Sequence, residues 1–382
     1  MDRAGILDMR VVIVLLLGLL TFGCNPTPTS SQEAQPMRQS RELPGARTFY
    51  MGFTPLPWDF TEEAFRDTYR RISENGDIVA HHLDEGVPWT EALEGRPYAE
   101  NVRADIARRT ANTKGRKVFL SVTPLALDRQ SLANYWGTDS HMPNPAPFAG
   151  AALNAPEVKT AFTNYALDMI ETFDPAFFAY AIEISDIKAN PAVRSQFVDL
   201  AAHVYAAVKD RHPSLPVFPT YTLGDAASVD VGLMRDLAPY TDVVAVSTYP
   251  FVWDGVGGDA GKIPRDWFEK IAAVLPGKPF AVAETGFLAG RFSKLTSLVF
   301  ISSDPSSQEA YVDFLLSEAQ RLNAAFVIWY VPMDYDRLWE KMKANGMNSW
   351  FAQWMRTGLW DAAGKGRPGL DLWNRWRQLP RR

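Results

Sequence analysis

The sequence predicts a closed (β/α)8 barrel, an α/β fold of eight parallel strands surrounded by helices. From residue 48 onward, short apolar runs alternate with helical patterns, which is typical of β–α units around a parallel sheet. Eight such units fit into about 330 residues, and a barrel of this kind needs about 250 residues plus insertions. The alternative is an open doubly wound sheet, but no Gly-x-Gly-x-x-Gly follows an early strand and no phosphate-binding loop is present.

Each strand is predicted from a short apolar run bounded by turn residues. In chain order the predicted strands are 48–53, 77–82, 117–122, 177–184, 216–220, 242–247, 279–284 and 325–331. Each helix is predicted from helical apolar periodicity. The predicted helices are 61–74, 98–112, 157–173, 192–212, 231–237, 264–275, 307–322 and 369–377. No internal repeat is present, so one barrel is expected to occupy residues 47–382.

The N-terminus is predicted to export and anchor the protein. Val11–Gly23 is apolar but too short to span a bilayer comfortably, so residues 1–24 are interpreted as a signal segment. Its end resembles the bacterial lipoprotein signal, which implies that Cys24 is lipidated and holds the protein on a membrane. The alternative is a buried or free cysteine. Asn25 after it would favour the outer membrane or the cell surface. Residues 25–46 are rich in Pro, Ser, Thr and Gln, which predicts a flexible tether.

Composition and spacing exclude several kinds of function. The net charge is −5 and no basic stripe or Arg-rich run is present, so no nucleic-acid partner is predicted. Because the chain has one cysteine, it cannot form an internal disulfide. His81 and His82 with Asp84 match no metal-ligand spacing. We therefore predict neither a metal nor a cofactor.

Two of the apolar runs end in a glutamate, Glu183 and Glu284. A carboxylate that is buried without a partner costs several kcal/mol, so its presence at the end of a buried strand requires a reason. In a (β/α)8 barrel the chemistry lies at the C-terminal ends of the strands. A pair of carboxyl groups that face each other across a sugar-binding cleft is the arrangement that cleavage of a glycosidic bond requires.

The other strand ends are polar and aromatic, which predicts a cleft for a polar ligand with a flat face, such as a sugar. Because side chains alternate along a strand, only one of His81 and His82 can face the barrel centre, and we expect it to be His82. The residues predicted to contact a substrate are His82, Asp84, Trp89, Tyr221, Tyr249 and Trp329.

From about residue 48 to the C-terminus, the order of these features resembles glycoside hydrolase clan A, a group of retaining barrel enzymes. The similar segments are Ala283–Phe287, Ser247–Pro250, Trp329 and the closing Gly358–Leu370. Within the clan, Tyr180–Ser185 is most similar to the endo-β-1,4-galactanase branch. The order and spacing of these segments, rather than any one of them, carry the resemblance.

The resemblance implies a retaining glycoside hydrolase that acts on a β-linked poly- or oligosaccharide. Glu183 would be the general acid/base and Glu284 the nucleophile, with Tyr249 orienting Glu284 and Trp329 forming the floor of the sugar subsite. The chain departs from the clan at Ile182, where an asparagine usually contacts the sugar 2-hydroxyl. The alternative is therefore a non-catalytic lipoprotein that binds glycan in a glycosidase-like barrel.

Overall fold

A computed structural model describes residues 42–382, apart from 225–228, 254, 295–298 and 347–348. It confirms the (β/α)8 barrel, since eight parallel strands close into one sheet. All strands except β8 and β9, which form a separate antiparallel hairpin, belong to this barrel. The strands are β1 (Tyr50–Phe53), β2 (Ile78–Leu83), β3 (Lys117–Val122), β4 (Phe177–Ala181), β5 (Val217–Thr222), β6 (Val244–Thr248), β7 (Phe280–Thr285), β8 (Arg291–Lys294), β9 (Val299–Ser302) and β10 (Phe326–Trp329).

Helices surround the barrel, and several begin at a residue whose side chain caps the first turn. Thr61 accepts a hydrogen bond from the backbone N–H of Ala64, and Asp304 accepts one from that of Ser307. Among the described residues, none of the helices combines the length and the apolar character needed to cross a bilayer. The helices are α1 (Glu62–Asn75), α2 (Trp89–Glu94), α3 (Glu100–Thr113), α4 (Pro156–Phe173), α5 (Pro191–Arg211), α6 (Val231–Asp236), α7 (Glu269–Ala272), α8 (Pro305–Arg321), α9 (Asp336–Ala344) and α10 (Pro368–Arg377).

Several predicted boundaries change. The helix predicted over 264–275 is reduced to the four residues of α7, because the segment before it forms turns closed by short-range bonds such as Trp267 N–H to the Pro264 carbonyl. The hairpin β8–β9 and helices α2 and α9 were not predicted. The predicted tether 25–46 ends earlier, since Leu43 packs against the core and Ala46 is buried. Its remaining residues, like the signal segment and Cys24, lie outside the described residues.

The inside of the barrel is apolar along most of its length. Phe119, Phe218 and Phe326 form a stack there, and the ring centroids of Phe119 and Phe326 are 4.7 Å apart. Small alanines fill the positions between them on neighbouring strands. Side chains at alternate positions point outward and pack against the helices. The apolar filling stops before the C-terminal ends of the strands, and polar side chains occupy that end of the barrel.

Candidate active site

A β-bulge in β7 turns Glu284 toward the barrel interior. Val282 and Glu284 pair with two consecutive residues of β6, so Ala283 between them has no partner on β6 and is the extra residue of the bulge. Ala283 belongs to the interior cluster, so regular alternation would direct the next side chain outward. The extra residue shifts that alternation, and Glu284 instead reaches across the interior to His82 on β2.

A second bulge precedes Glu183. Tyr180 is an extra residue in β4, since Ala179 and Ala181 pair with consecutive residues of β5. Strand β4 then ends at Ala181, three residues before the predicted end, and Glu183 adopts a left-handed backbone conformation with φ of 54°. Few residues other than glycine adopt this conformation, and strain of this kind is concentrated at functional sites. The backbone N–H of Glu183 donates to Thr220 Oγ1 at 2.9 Å, which fixes it against β5.

Glu284 is held by Tyr249 and lies beside His82. The Tyr249 hydroxyl donates to Glu284 Oε1 at 2.5 Å, and His82 Nε2 lies 3.4 Å from Glu284 Oε2. Burial, followed by repulsion from Glu183, raises the pKa of Glu284 to about 8, although the Tyr249 hydrogen bond and Arg129 oppose this shift. Because the two carboxyl groups repel each other, ionisation of one opposes ionisation of the other.

His82 faces the barrel interior, as the alternation of side chains along β2 requires, whereas His81 points outward and packs against Phe173 and Tyr69. Burial lowers the pKa of His82 to about 3, and the positive charges of Arg109 and Arg129 add to this effect. At neutral pH His82 is therefore an uncharged imidazole beside Glu284.

An ion pair that the sequence did not suggest lies between the two glutamates. Both terminal nitrogens of Arg129 donate to Asp84, at 3.0 and 2.7 Å, and one of them lies 3.9 Å from Glu183 Oε2. Arg129 belongs to the long loop between β3 and α4 and has a positive φ of 56°. Nothing in its sequence context distinguishes it from a surface arginine. Asp84, predicted as a substrate contact, is instead engaged with Arg129.

Several buried polar atoms near Glu284 have no hydrogen-bond partner among the described residues. They are Thr54 Oγ1, Ser121 Oγ and both ring nitrogens of His82, on or just after the neighbouring strands β1, β3 and β2. A buried polar atom without a partner costs about 1–3 kcal/mol. Such atoms are suited to bind the hydroxyl groups of a ligand, or water in its place.

Three predicted substrate contacts lie away from the interior. Trp329 is fully buried and points outward, where its indole N–H donates to the Thr357 carbonyl at 2.8 Å. Tyr221 also belongs to the outer core, and Trp89 donates to the Ala133 carbonyl. For Tyr221 and Trp329 the alternation of side chains along the strand explains this correction, whereas Trp89 begins helix α2 and lies on no strand.

Tyr330, the residue after Trp329, lies near Tyr249 and Glu284 instead. Its ring centroid lies 5.9 Å from that of Tyr249. Its pKa is raised by burial, by Tyr335 and by the nearby charge of Glu284. Ile182, directly before Glu183, is buried. The arrangement therefore combines two carboxyl groups, a tyrosine on one of them, and neutral polar atoms around them.

Neither a family model nor a curated protein matches the chain by sequence. Solved structures do resemble it. An exo-β-1,4-mannosidase from Opitutaceae bacterium strain TAV5 is 16% identical with a TM-score of 0.59, over 91% of this chain and 62% of the mannosidase. The GH53 catalytic domain from Ignisphaera aggregans is 19% identical with a TM-score of 0.54, over 87% of this chain and 91% of that domain. A GH5_18 protein from Streptomyces cattleya, in complex with Manβ1-4GlcNAc, is 15% identical with a TM-score of 0.58, over 87% and 83%.

These neighbours are clan A glycoside hydrolases, and the similarity establishes that this chain shares their barrel. At identities below 20% it shows the fold and not the reaction. The chain also spans only 62% of the length of the mannosidase. The chemistry of this protein has to be argued from its own site.

Proposed function

We propose that this protein is a retaining glycoside hydrolase that acts on a β-linked poly- or oligosaccharide. The observation that carries this proposal is the meeting of Glu183 and Glu284, about a hundred residues apart in sequence, at one end of the barrel, each after a bulge in its strand. Their mutual repulsion is the largest effect of any charged side chain on the pKa of Glu284. Two carboxyl groups that share one proton are what this reaction uses.

In the first step, the Glu284 carboxylate forms a bond to the anomeric carbon while the glycosidic C–O bond breaks. Glu183 gives its proton to the departing oxygen, so the leaving sugar departs as a neutral alcohol. In the second step, Glu183 takes a proton from water, the water oxygen bonds to the anomeric carbon, and Glu284 leaves as a carboxylate. The Tyr249 hydroxyl, at 2.5 Å, stabilises the ionised form of Glu284 that both steps need.

The substitution at Ile182 removes one hydrogen-bond donor that the resemblance would place at the sugar 2-hydroxyl. Contacts to that hydroxyl supply several kcal/mol in the transition state. In this chain the donors and acceptors without partners lie instead on His82, Ser121 and Thr54. We infer that these groups hold the sugar.

A glycan-binding protein without activity is the second candidate, and Ile182 is the observation that favours it. The two candidates differ in whether Glu183 and Glu284 are required for binding or only for bond cleavage. Neutral polar atoms and a buried tyrosine pair would bind a sugar in either case.

The test is an assay of purified protein on a panel of β-glycans. The panel includes β-1,4-galactan, which the galactanase-like segment suggests. It also includes β-1,4-mannan, because the neighbouring structure is named as a β-1,4-mannosidase. Wild type should release sugar with retention of the anomeric configuration. Glu183→Gln and Glu284→Gln should each lose about 10³-fold or more in turnover while still binding glycan.

Glu91→Gln is a matched control, because Glu91 is also a buried glutamate but lies on α2 and accepts hydrogen bonds from Tyr135. This variant should keep its turnover. If wild type binds a glycan of the panel yet cleaves none, the protein is the second candidate.

We further propose that Cys24 is lipidated and that the protein is anchored to a bacterial membrane, with the outer membrane or the cell surface as its location. The support is the sequence pattern around Cys24 and the tether that follows it. Mass spectrometry of the protein from membranes should find acylated Cys24 at the N-terminus. Cys24→Ser should release the protein into the soluble fraction, and an unmodified Cys24 in the membrane form would refute the anchor.

A further inference from the structure

We propose that the cleft accepts an uncharged sugar and excludes uronic acids, because Asp84 occupies Arg129, the arginine that lies beside the two glutamates. This inference rests on the proposed function, since it names the substrate class of the same site. It follows from the charges around the glutamates and from the way in which Arg129 is held.

The charges at the site do not balance. Asp84, Glu183 and Glu284 are three carboxyl groups, and Arg129 is the only guanidinium or ammonium group among the described side chains within 4.0 Å of Glu183 or Glu284. The carboxyl groups therefore outnumber this guanidinium. His82 is uncharged at neutral pH, because burial lowers its pKa to about 3. A carboxylate on the sugar would therefore be repelled.

Arg129 cannot compensate for this repulsion. Both of its terminal nitrogens already donate to the two oxygens of Asp84, at 3.0 and 2.7 Å. Its side chain is 2% exposed, so a second carboxylate cannot reach the guanidinium edge on which paired recognition depends. Asp84 thus fills, from within the protein, the place that a uronate would need.

By contrast, neutral polar atoms without partners are available on His82, Ser121 and Thr54. Hydroxyl groups, rather than carboxylates, match these atoms.

The test measures binding of uncleavable thioglycosides in matched pairs: glucoside and glucuronide, galactoside and galacturonide, mannoside and mannuronide. For the sugar that wild type binds best, the neutral member should bind at least about tenfold more tightly than its uronide. Asp84→Asn removes one of the three carboxyl charges and leaves Arg129 with an uncharged partner, so the preference for the neutral member should fall by about tenfold or more.

Asp334→Asn is the matched control, because Asp334 is a buried aspartate that also accepts two hydrogen bonds from an arginine, Arg367. This variant should keep the wild-type preference. Circular dichroism is used to check whether both variants fold. If Asp84→Asn does not fold, the preference of wild type alone still tests the proposal.

Three outcomes overturn the inference. Wild type could bind a uronide as tightly as its neutral partner, or folded Asp84→Asn could keep the wild-type preference. In either case the hydrolase proposal stands if Glu284→Gln still abolishes cleavage. The third outcome, in which wild type binds no member of any pair and cleaves no glycan of the panel, removes the proposed function as well and is thereby distinguished from the other two.

Discussion

The end of strand β2 carries two similar pairs of residues on opposite faces. His82 and Asp84 face the barrel interior, whereas His81 and Glu85 face helix α3 and its neighbours. Each acidic residue meets an arginine, Arg129 inside and Arg109 outside, and both arginines are buried.

The surroundings of the two arginines differ. Arg109 donates to Glu85 at 2.6 Å, to Asp105 at 2.7 Å and to the His82 carbonyl at 3.3 Å, so it joins α3 to the strand. Arg129 lies instead beside the two glutamates and lowers the pKa of Glu284. A histidine and an acidic residue near the end of β2 thus lie against the scaffold on one face, and a second such pair lies beside the two glutamates on the other.

The largest expected effect tests the outer face. Arg109→Met should lower the free energy of unfolding by about 3–5 kcal/mol, because it leaves Glu85 buried without its partner and Asp105 with Arg108 alone. Denaturant unfolding measures this. In the folded variant, the pH dependence of kcat/KM should keep the wild-type midpoint, and a shifted midpoint would mean that the two faces are not separate.

The next effect is the dependence of stability on pH. Glu284 has a pKa of about 8 in the folded state, above its ordinary value of 4.5, so the stability that it contributes is present below pH 4.5 and is lost as the pH rises through 8. Glu284→Gln should therefore be more stable than wild type at pH 8, by on the order of a few kcal/mol, and lose less stability between these pH values.

Glu85 gives the outer counterpart, because burial raises its pKa to about 7. Glu85→Gln should also flatten the dependence of stability on pH, but over a window that ends near pH 7. Unlike Glu284→Gln, it should keep its turnover. Equal loss of turnover in the two variants would break the comparison.

A smaller effect is expected at Tyr249. Tyr249→Phe removes the hydrogen bond that lowers the pKa of Glu284, so this pKa should rise further and the acidic limb of the pH–rate profile should shift to higher pH. Because a hydrogen bond to a charged group contributes about 1.5–3 kcal/mol, turnover at neutral pH should fall by about 10- to 100-fold. An unchanged acidic limb would show that Tyr249 does not act on Glu284.

The smallest effect is expected at two adjacent residues, Trp329 at the end of β10 and Tyr330 just after it. Tyr330→Phe should raise KM by up to about tenfold with little loss of stability, because its ring faces the glutamates. Trp329→Phe should leave KM unchanged but lower stability by about 1–2 kcal/mol, through the lost bond to Thr357 and the void that it leaves. The reverse result would restore Trp329 as the sugar contact.

Local patterns were sufficient to predict most of the fold. The apolar runs placed all eight barrel strands within a few residues, since a buried parallel strand needs a short and continuous apolar segment. Glu183 and Glu284 could also be selected, because a carboxylate at the end of such a run conflicts with burial. The hairpin β8–β9 could not be predicted, since its residues lack a distinguishing pattern.

The type of barrel was thus determined by the sequence alone, through apolar periodicity, and the cost of burying charge selected the two glutamates as candidates. Only the tertiary structure decided which neighbours face the interior. Bulges at Tyr180 and Ala283 shift the alternation by one residue, and the register of β10 selects Tyr330 over Trp329. Only the tertiary structure could bring Arg129 to Asp84 as well, because contacts between distant segments depend on how the loops close and leave no local mark in the chain.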